Sequence, residues 1–282
     1  MSAPAPASVR RRRTVPVSLA VALLMLACVA ALIVIVPLLP TFDAQRQNLL
    51  FAQEPAFVNA AHPLGTDALG RDILSRMSVG ARISVMVAFG AVAISATLGL
   101  AIGLAAGWLG GRIDNALMAL GNIQLSIPVV LLLIVLVATL GSSPVLLVVL
   151  LGLVNWVGYG RMVRAQVVSL REREFITAVV TAGGSGWWIT RRHLLPNVLP
   201  SVLVLATFDV GVIITIESSL SFIGLGIQPP TPSLGLMIAE GQRYLQTNPG
   251  MTLWPALAII FLIGGLQFAS QSLTARNTRD RR

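Results

Sequence analysis

The sequence predicts an all-α polytopic membrane protein with six transmembrane helices and both termini in the cytoplasm. Three observations carry that reading. Of its 282 residues 55% are hydrophobic and only 11% charged, and the mean hydropathy is +0.83, too apolar for a water-soluble domain of this length. Six apolar runs, most of them of spanning length and the sixth shorter in strictly apolar length, are separated by polar segments. Every one of the 20 basic residues is arginine, and 15 of them fall in alternate polar segments, the bias that fixes the cytoplasmic side.

Taken in order, Met1 to Thr14 is Pro/Ala/Ser-rich and ends in Arg10, Arg11, Arg12 and Arg13, a disordered tail with a charge anchor. Val17 to Val36 follows without a charge. Its length spans about 30 Å as a helix, more than a cleavable signal core needs, so it reads as a retained first span. Pro37 and Pro40 end it. The polar stretch as far as Arg82 is extracytoplasmic by alternation. Within it, HPLGTDALGRDILSR predicts a short surface helix capped by Thr66 or Asp67, with ion pairs Asp67 to Arg71 and Asp72 to Arg76.

The second span, Ile83 to Trp108, carries Ser95, Gly99, Gly103 and Gly107 at four-residue intervals, a strip on which another helix can pack closely. Gly110, Gly111, Arg112 and Asp114 form a cytoplasmic turn. The third span, Ala116 to Leu140, contains Asn122, Gln124, Ser126 and Pro128. Those polar groups are costly in lipid, so they line a path or hydrogen-bond to other helices. Gly141 to Pro144 turns the chain, and Val145 to Gly160 returns it.

The stretch REREFITAVVTAGGSGWWITRRHLLPNVLP, from Arg171 to Pro200, is long, basic and cytoplasmic. It predicts a helix over Phe175 to Ala182, a turn at Gly183 and Gly184, a second helical turn capped by Ser185, and a proline stop at Pro196 and Pro200. A fifth span, Val198 to Phe222, holds Asp209 and Glu217, and a carboxylate inside a membrane marks a functional site by default. For Glu217, near the outer end, a hydrogen-bonded structural acid is the rival reading. Gly224 to Gly241 is a loop that folds back on the bundle. Leu253 to Phe268 forms the sixth span, and Arg276, Arg279, Arg281 and Arg282 return the C-terminus to the cytoplasm.

Composition also excludes. The net charge of +9 raises nucleic acid as a partner, but the arginines lie between apolar spans, so the expected surface is the lipid bilayer and no nucleic acid. Cys28 is single and His62 and His193 sit in separate polar segments, so no disulfide or metal site is expected. Without lysine there is no P-loop, and no hydrolase motif is present, so no catalytic residue is assigned. Active transport then needs an ion gradient or another subunit. A proton-coupled carrier using Asp209 and Glu217 is one possibility of the first kind.

TAVVTAGGSGWWITRRHLLPN resembles the cytoplasmic Glu-Ala-Ala loop of binding-protein-dependent ABC importer permeases. Thr177, Ala178 and Val179 occupy the triplet, Gly183 the glycine, and Leu194, Leu195 and Pro196 the closing motif. HPLGTDALGRDILSRMSVGARIS, GYGRMVRAQVVSLREREF, ESSLSFIGLGIQPPTPSLGLMIAEG and the pair Pro249 and Gly250 narrow the match to the shorter, second permease subunit of the dipeptide, oligopeptide and nickel group. The resemblance implies a type I ABC importer permease fold and a sister permease subunit. It also implies two cytoplasmic ATPases, which hold the ATP and magnesium, and an external solute-binding protein. This chain needs no cofactor of its own, and its cargo would be a peptide, with a nickel complex or another small solute as alternative.

The coupling residues implied are Glu174, Thr177, Ala178, Gly183, Gly184, Arg191, Arg192, Leu195 and Pro196. Glu174, one helical turn before Thr177, stands in for the usual glutamate. The expected division is a tail over 1–14, a first span with its outer segment over 15–81, and a five-helix core over 82–272 with the coupling loop at 164–200. A second basic tail covers 273–282.

Overall fold

The computed structural model describes residues 17–279, with side chains described as far as residue 272. The tail expected over 1–14 lies outside the described residues. All regular structure among the described residues is helical. Five helices have the length and composition to cross a membrane, and a sixth crossing is made by a bent pair.

Helix α1, Val17–Val34, is apolar all round and lies along α11, Gly250–Arg279, with Cys28 exposed on its flank. α2, Ile73–Leu109, is the central post, packed on α5, Pro144–Val154, on α6, Trp156–Arg171, and on α9, Leu195–Phe222. At 37 residues it is about 55 Å long, so its ends stand clear of a hydrocarbon core of about 30 Å. The surface helix expected around Thr66 and Asp67 does not form, because Asp67 closes a turn instead. Its carboxylate accepts from the Leu69 and Arg71 amides at 2.8 and 3.0 Å, with Gly70 at φ +70°. Asp72 then becomes the cap of α2, accepting from the Ser75 amide at 2.7 Å. The Asp67–Arg71 pair forms at 2.6 Å. The Asp72–Arg76 pair does not, since Asp72 turns to His62 at 3.2 Å and Arg76 joins Asp67 and Glu240.

The small-residue strip of α2 meets α6, Trp156–Arg171. A methyl group on Gly103 would lie 2.6 Å from the Gly160 carbonyl oxygen, and one on Gly107 would lie 2.7 Å from Val167 Cβ. Only glycine permits that approach. Ser95 reaches the Gly152 carbonyl of α5, Pro144–Val154, at 3.1 Å.

The third span is not one helix. α3, Gly111–Leu125, and α4, Val129–Leu140, meet at 81°. Pro128 has no amide and forces Ile127 out of the helical region, so the rod breaks there. The turn expected over Gly110 to Asp114 narrows to Gly110 and Gly111, at φ +64° and +55°, and Arg112 and Asp114 ride on α3. α5 and α6 form one crossing interrupted at Asn155, so Arg161 and Arg164 lie on a helix and not in a loop.

The proline stop is also overturned. α8, Gly186–Ile189, a π turn over Thr190–Leu194, and α9, Leu195–Phe222, make one continuous rod of 37 residues. The π turn lets the Leu195 amide bond the Thr190 carbonyl one residue further back than in an α-helix. Pro196 then sits in the first turn of α9, where no amide is required. The loop over Gly224 to Gly241 folds back on the bundle as expected. Its helix α10, Leu234–Gly241, packs on α9 and α11, with Gly235 pressed on the Ser218 backbone. α11 runs past the expected sixth span and continues to Arg279.

Candidate functional site

The basic stretch from Arg171 to Pro200 forms a handle that begins with a helix, a glycine turn and a second short helix. α7, Glu174–Thr181, has Glu174 in its first turn, where a carboxylate suits the helix dipole. It buries Ile176 completely and leaves Glu174, Thr177 and Ala178 exposed on the other side. Its end is a Schellman turn: Gly183 donates to the Val180 carbonyl and Gly184 to the Val179 carbonyl, both at 3.0 Å. The two glycines serve different needs. Gly183 holds φ +84° with open space around it, whereas a methyl on Gly184 would lie 2.8 Å from Val179 Cγ1. Ser185 caps the next helix through the Trp188 amide, as its position in the sequence suggests.

From Ser185 the chain rises directly into the membrane rod. Ile176, Ile189 and Leu194 of the handle are buried in one apolar cluster with Tyr159, Val163 and Val167 of α6 and Val198 and Val202 of α9. A methyl on Gly186 would lie 2.8 Å from Trp108 Nε1, at the end of α2. His193 is flanked by the Trp188 and Phe175 rings at 5.1 and 6.0 Å. Leu195 and Pro196 mark the join to α9, and Arg191 and Arg192 stay exposed beside it. The handle is therefore a folded extension of the bundle, and Ile176 of α7 shares one packed core with α9.

On the same side, Arg164 grips Asp114 with both arms of its guanidinium, Nη2 to Oδ2 at 2.6 Å. Arg161 donates to Asn122 at 2.7 Å. These bonds tie α6 to α3, which leads into the 81° bend.

The polar residues expected in the membrane fall into two groups. Gln124 donates to the Val154 carbonyl and accepts from Trp156 Nε1 at 2.9 Å, and Ser126 bonds the Asn122 carbonyl. Asn122 and Ser126 are exposed at the bend. Asp209, part-buried on α9, accepts from Asn155 at 3.2 Å beside the buried Tyr159. Asn155 and Tyr159 were not picked out from the sequence, although a lone amide in an apolar run signals an interhelical bond. Glu217 belongs elsewhere. It is eight residues on, about 12 Å along the helix, wholly buried, and accepts from Ser84 at 2.8 Å and Ser221 at 2.9 Å. Asp209 and Glu217 therefore do not converge on one site.

The opposite end of the bundle carries a second charged group. Asp67, Arg71, Arg76 and Glu240 form one network, most of it buried, and Asp67, Arg71 and Glu240 line a cavity of about 400 Å³ together with Arg243 and Tyr244.

The profile of the family described as binding-protein-dependent transport system inner membrane component matches residues 98–280. The oligopeptide transport system permease protein OppC of Escherichia coli K12 is 35% identical over 96% of this chain and 90% of its own length. The nickel transport system permease protein NikC of the same strain is 37% identical over 76% of this chain and 78% of its own. The dipeptide transport system permease protein DppC of Alkalihalophilus pseudofirmus is 38% identical over 76% and 71%.

Proposed function

Since the chain belongs to the family of binding-protein-dependent transport system inner membrane components, a multi-pass inner-membrane transport subunit, we propose that it is one permease half of an ATP-driven importer for di- or oligopeptides. The observation that carries this reading is the unbroken rod from Gly186 to Phe222, which starts in the handle and ends beneath the outer loop.

In this reading a sister permease completes the path, two cytoplasmic ATPases supply the energy, and an extracytoplasmic binding protein delivers the solute. ATP and magnesium belong to the ATPases, and this chain performs no chemistry of its own. One ATPase grips α7 through the face of Glu174, Thr177 and Ala178. Closure of the ATPases moves α7, and the shared core of Ile176, Ile189 and Leu194 carries that movement into α9. Asn122, Gln124 and Ser126 at the bend and Asp209 on α9 face the sister subunit and the path. A part-exposed carboxylate in mid-span is too costly to present to lipid. Glu217, closed in by serines, holds the outer end of the rod to α2.

The similarity to the nickel permease keeps a nickel complex as the alternative cargo. The test is reconstitution in liposomes with the sister permease, the ATPases and the binding protein. ATP-dependent uptake of peptide supports the assignment. Transport by this chain alone, driven by a pH gradient without ATPases, overturns it.

A further inference from the structure

Trp187, Trp188, Arg191 and Arg192 together line a concavity of about 430 Å³ at the foot of the rod. Trp187 and Trp188 are 75% and 49% exposed, and both arginines are exposed. Neither guanidinium meets a carboxylate among the described residues. Two indoles and two free guanidiniums in one hollow, with no acid lining it, select an anion that carries apolar surface.

The depth of this hollow follows from helix geometry. Arg192 and Glu217 lie on one rod, separated by about 37 Å, slightly more than a hydrocarbon core of about 30 Å. With Glu217 near the outer boundary, Trp187 to Arg192 stand at the opposite headgroup layer. Indoles favour that layer, arginine stems lie along apolar surface there, and the guanidinium fork matches a phosphate. The ATPase face assigned to α7 is made by Glu174, Thr177 and Ala178, before the Gly183 turn, and shares no residue with the lining of this hollow.

We propose that this hollow is a binding site for the headgroup of an anionic phospholipid, its phosphate held between Arg191 and Arg192 and its glycerol and upper chains against Trp187 and Trp188. Lipid bound there braces the junction between handle and rod. The site rests on the membrane placement described above, but its test needs neither ATPase nor transport, so a failed uptake assay leaves it standing.

The experiment measures quenching of tryptophan fluorescence of the purified full chain by brominated phosphatidylglycerol and brominated phosphatidylcholine. The wild type is expected to prefer the anionic lipid by about tenfold or more, since each arginine near the surface contributes to anionic-lipid binding. Arg191→Gln combined with Arg192→Gln should lose that preference, and Arg173→Gln, exposed but outside the hollow, should keep it. Size-exclusion profiles confirm that the variants remain folded, as expected for exposed positions. A photoreactive phenylalanine analogue at position 187 should capture phospholipid in membranes. Equal quenching by both lipids, an unchanged preference in the double variant, displacement by millimolar inorganic phosphate, or capture of an ATPase in place of lipid each overturns the proposal.

Discussion

Ser84 of α2 donates a hydrogen bond of 2.8 Å to the Glu217 carboxylate of α9, in a position closed to solvent. The bond joins the central post to the end of the rod far from the handle, and Ser221 adds a second donor at 2.9 Å and accepts from the Ile227 amide of the loop that follows. Removing the carboxylate leaves these hydroxyls unpaired and opens a void. Glu217→Ala is expected to destabilise the protein by about 2–4 kcal/mol, and Ser84→Ala by about 1 kcal/mol. Thermal unfolding of the purified protein measures both. Equal small effects would mean that the carboxylate is not a structural tie.

Glycines of similar appearance differ sharply in what surrounds them. Gly103 of α2 has the Gly160 carbonyl where a side chain would begin, whereas Gly158 of α6 has nothing within 4 Å of that point. Gly103→Val should push α2 from α6 at a cost of about 1–3 kcal/mol or more and sharply reduce the amount of folded protein in the membrane. Gly158→Ala should be neutral or slightly stabilising, through helix propensity. Membrane accumulation of the two variants, compared by immunoblot, decides the matter.

The two-armed contact between Arg164 and Asp114 is partly open to solvent, with side-chain exposures of 38% and 13%. Its geometry places it near the upper end for such pairs, about 1 kcal/mol in a double-mutant cycle. Asp114→Asn and Arg164→Gln should each loosen α3 against α6, and the double variant should be no worse than either single. Additive losses would show that the two residues act separately.

Much of this molecule was readable because its signals are local. Length and hydropathy locate the spans, and Gly183 and Ser185 announce a helix end and a helix start by their own backbone chemistry. Pro196 misled because its effect depends on whether Leu194 and Val198 are buried on both sides of it. They are, in the core shared with α6, and a π turn absorbs the missing amide. Pro128, by contrast, lies at the exposed bend with no comparable core across it, and there the helix breaks. The grouping of Asn155 with Asp209, 54 positions apart, depends on how α6 meets α9, which no local pattern records.

Gly183 offers the sharpest test of the handle as a lever. Its φ of +84° lies in the left-handed region, and no atom stands within 4 Å of the point where a side chain would begin. Substitution there strains the backbone without a clash, by about 1–2 kcal/mol for a branched residue and less for asparagine. Gly183→Val should therefore leave the bundle folded and membrane levels unchanged while displacing α7 from the rod. ATP hydrolysis and uptake should then become uncoupled in the reconstituted complex. Gly183→Asn should retain most uptake. Gly184→Ala, whose methyl meets Val179 Cγ1 at 2.8 Å, should impair uptake through crowding despite an ordinary φ. Normal coupling in Gly183→Val would mean that force reaches α9 by another route, and equal loss in Gly183→Asn would mean that the position acts through direct contact with the ATPase and not through its backbone angle.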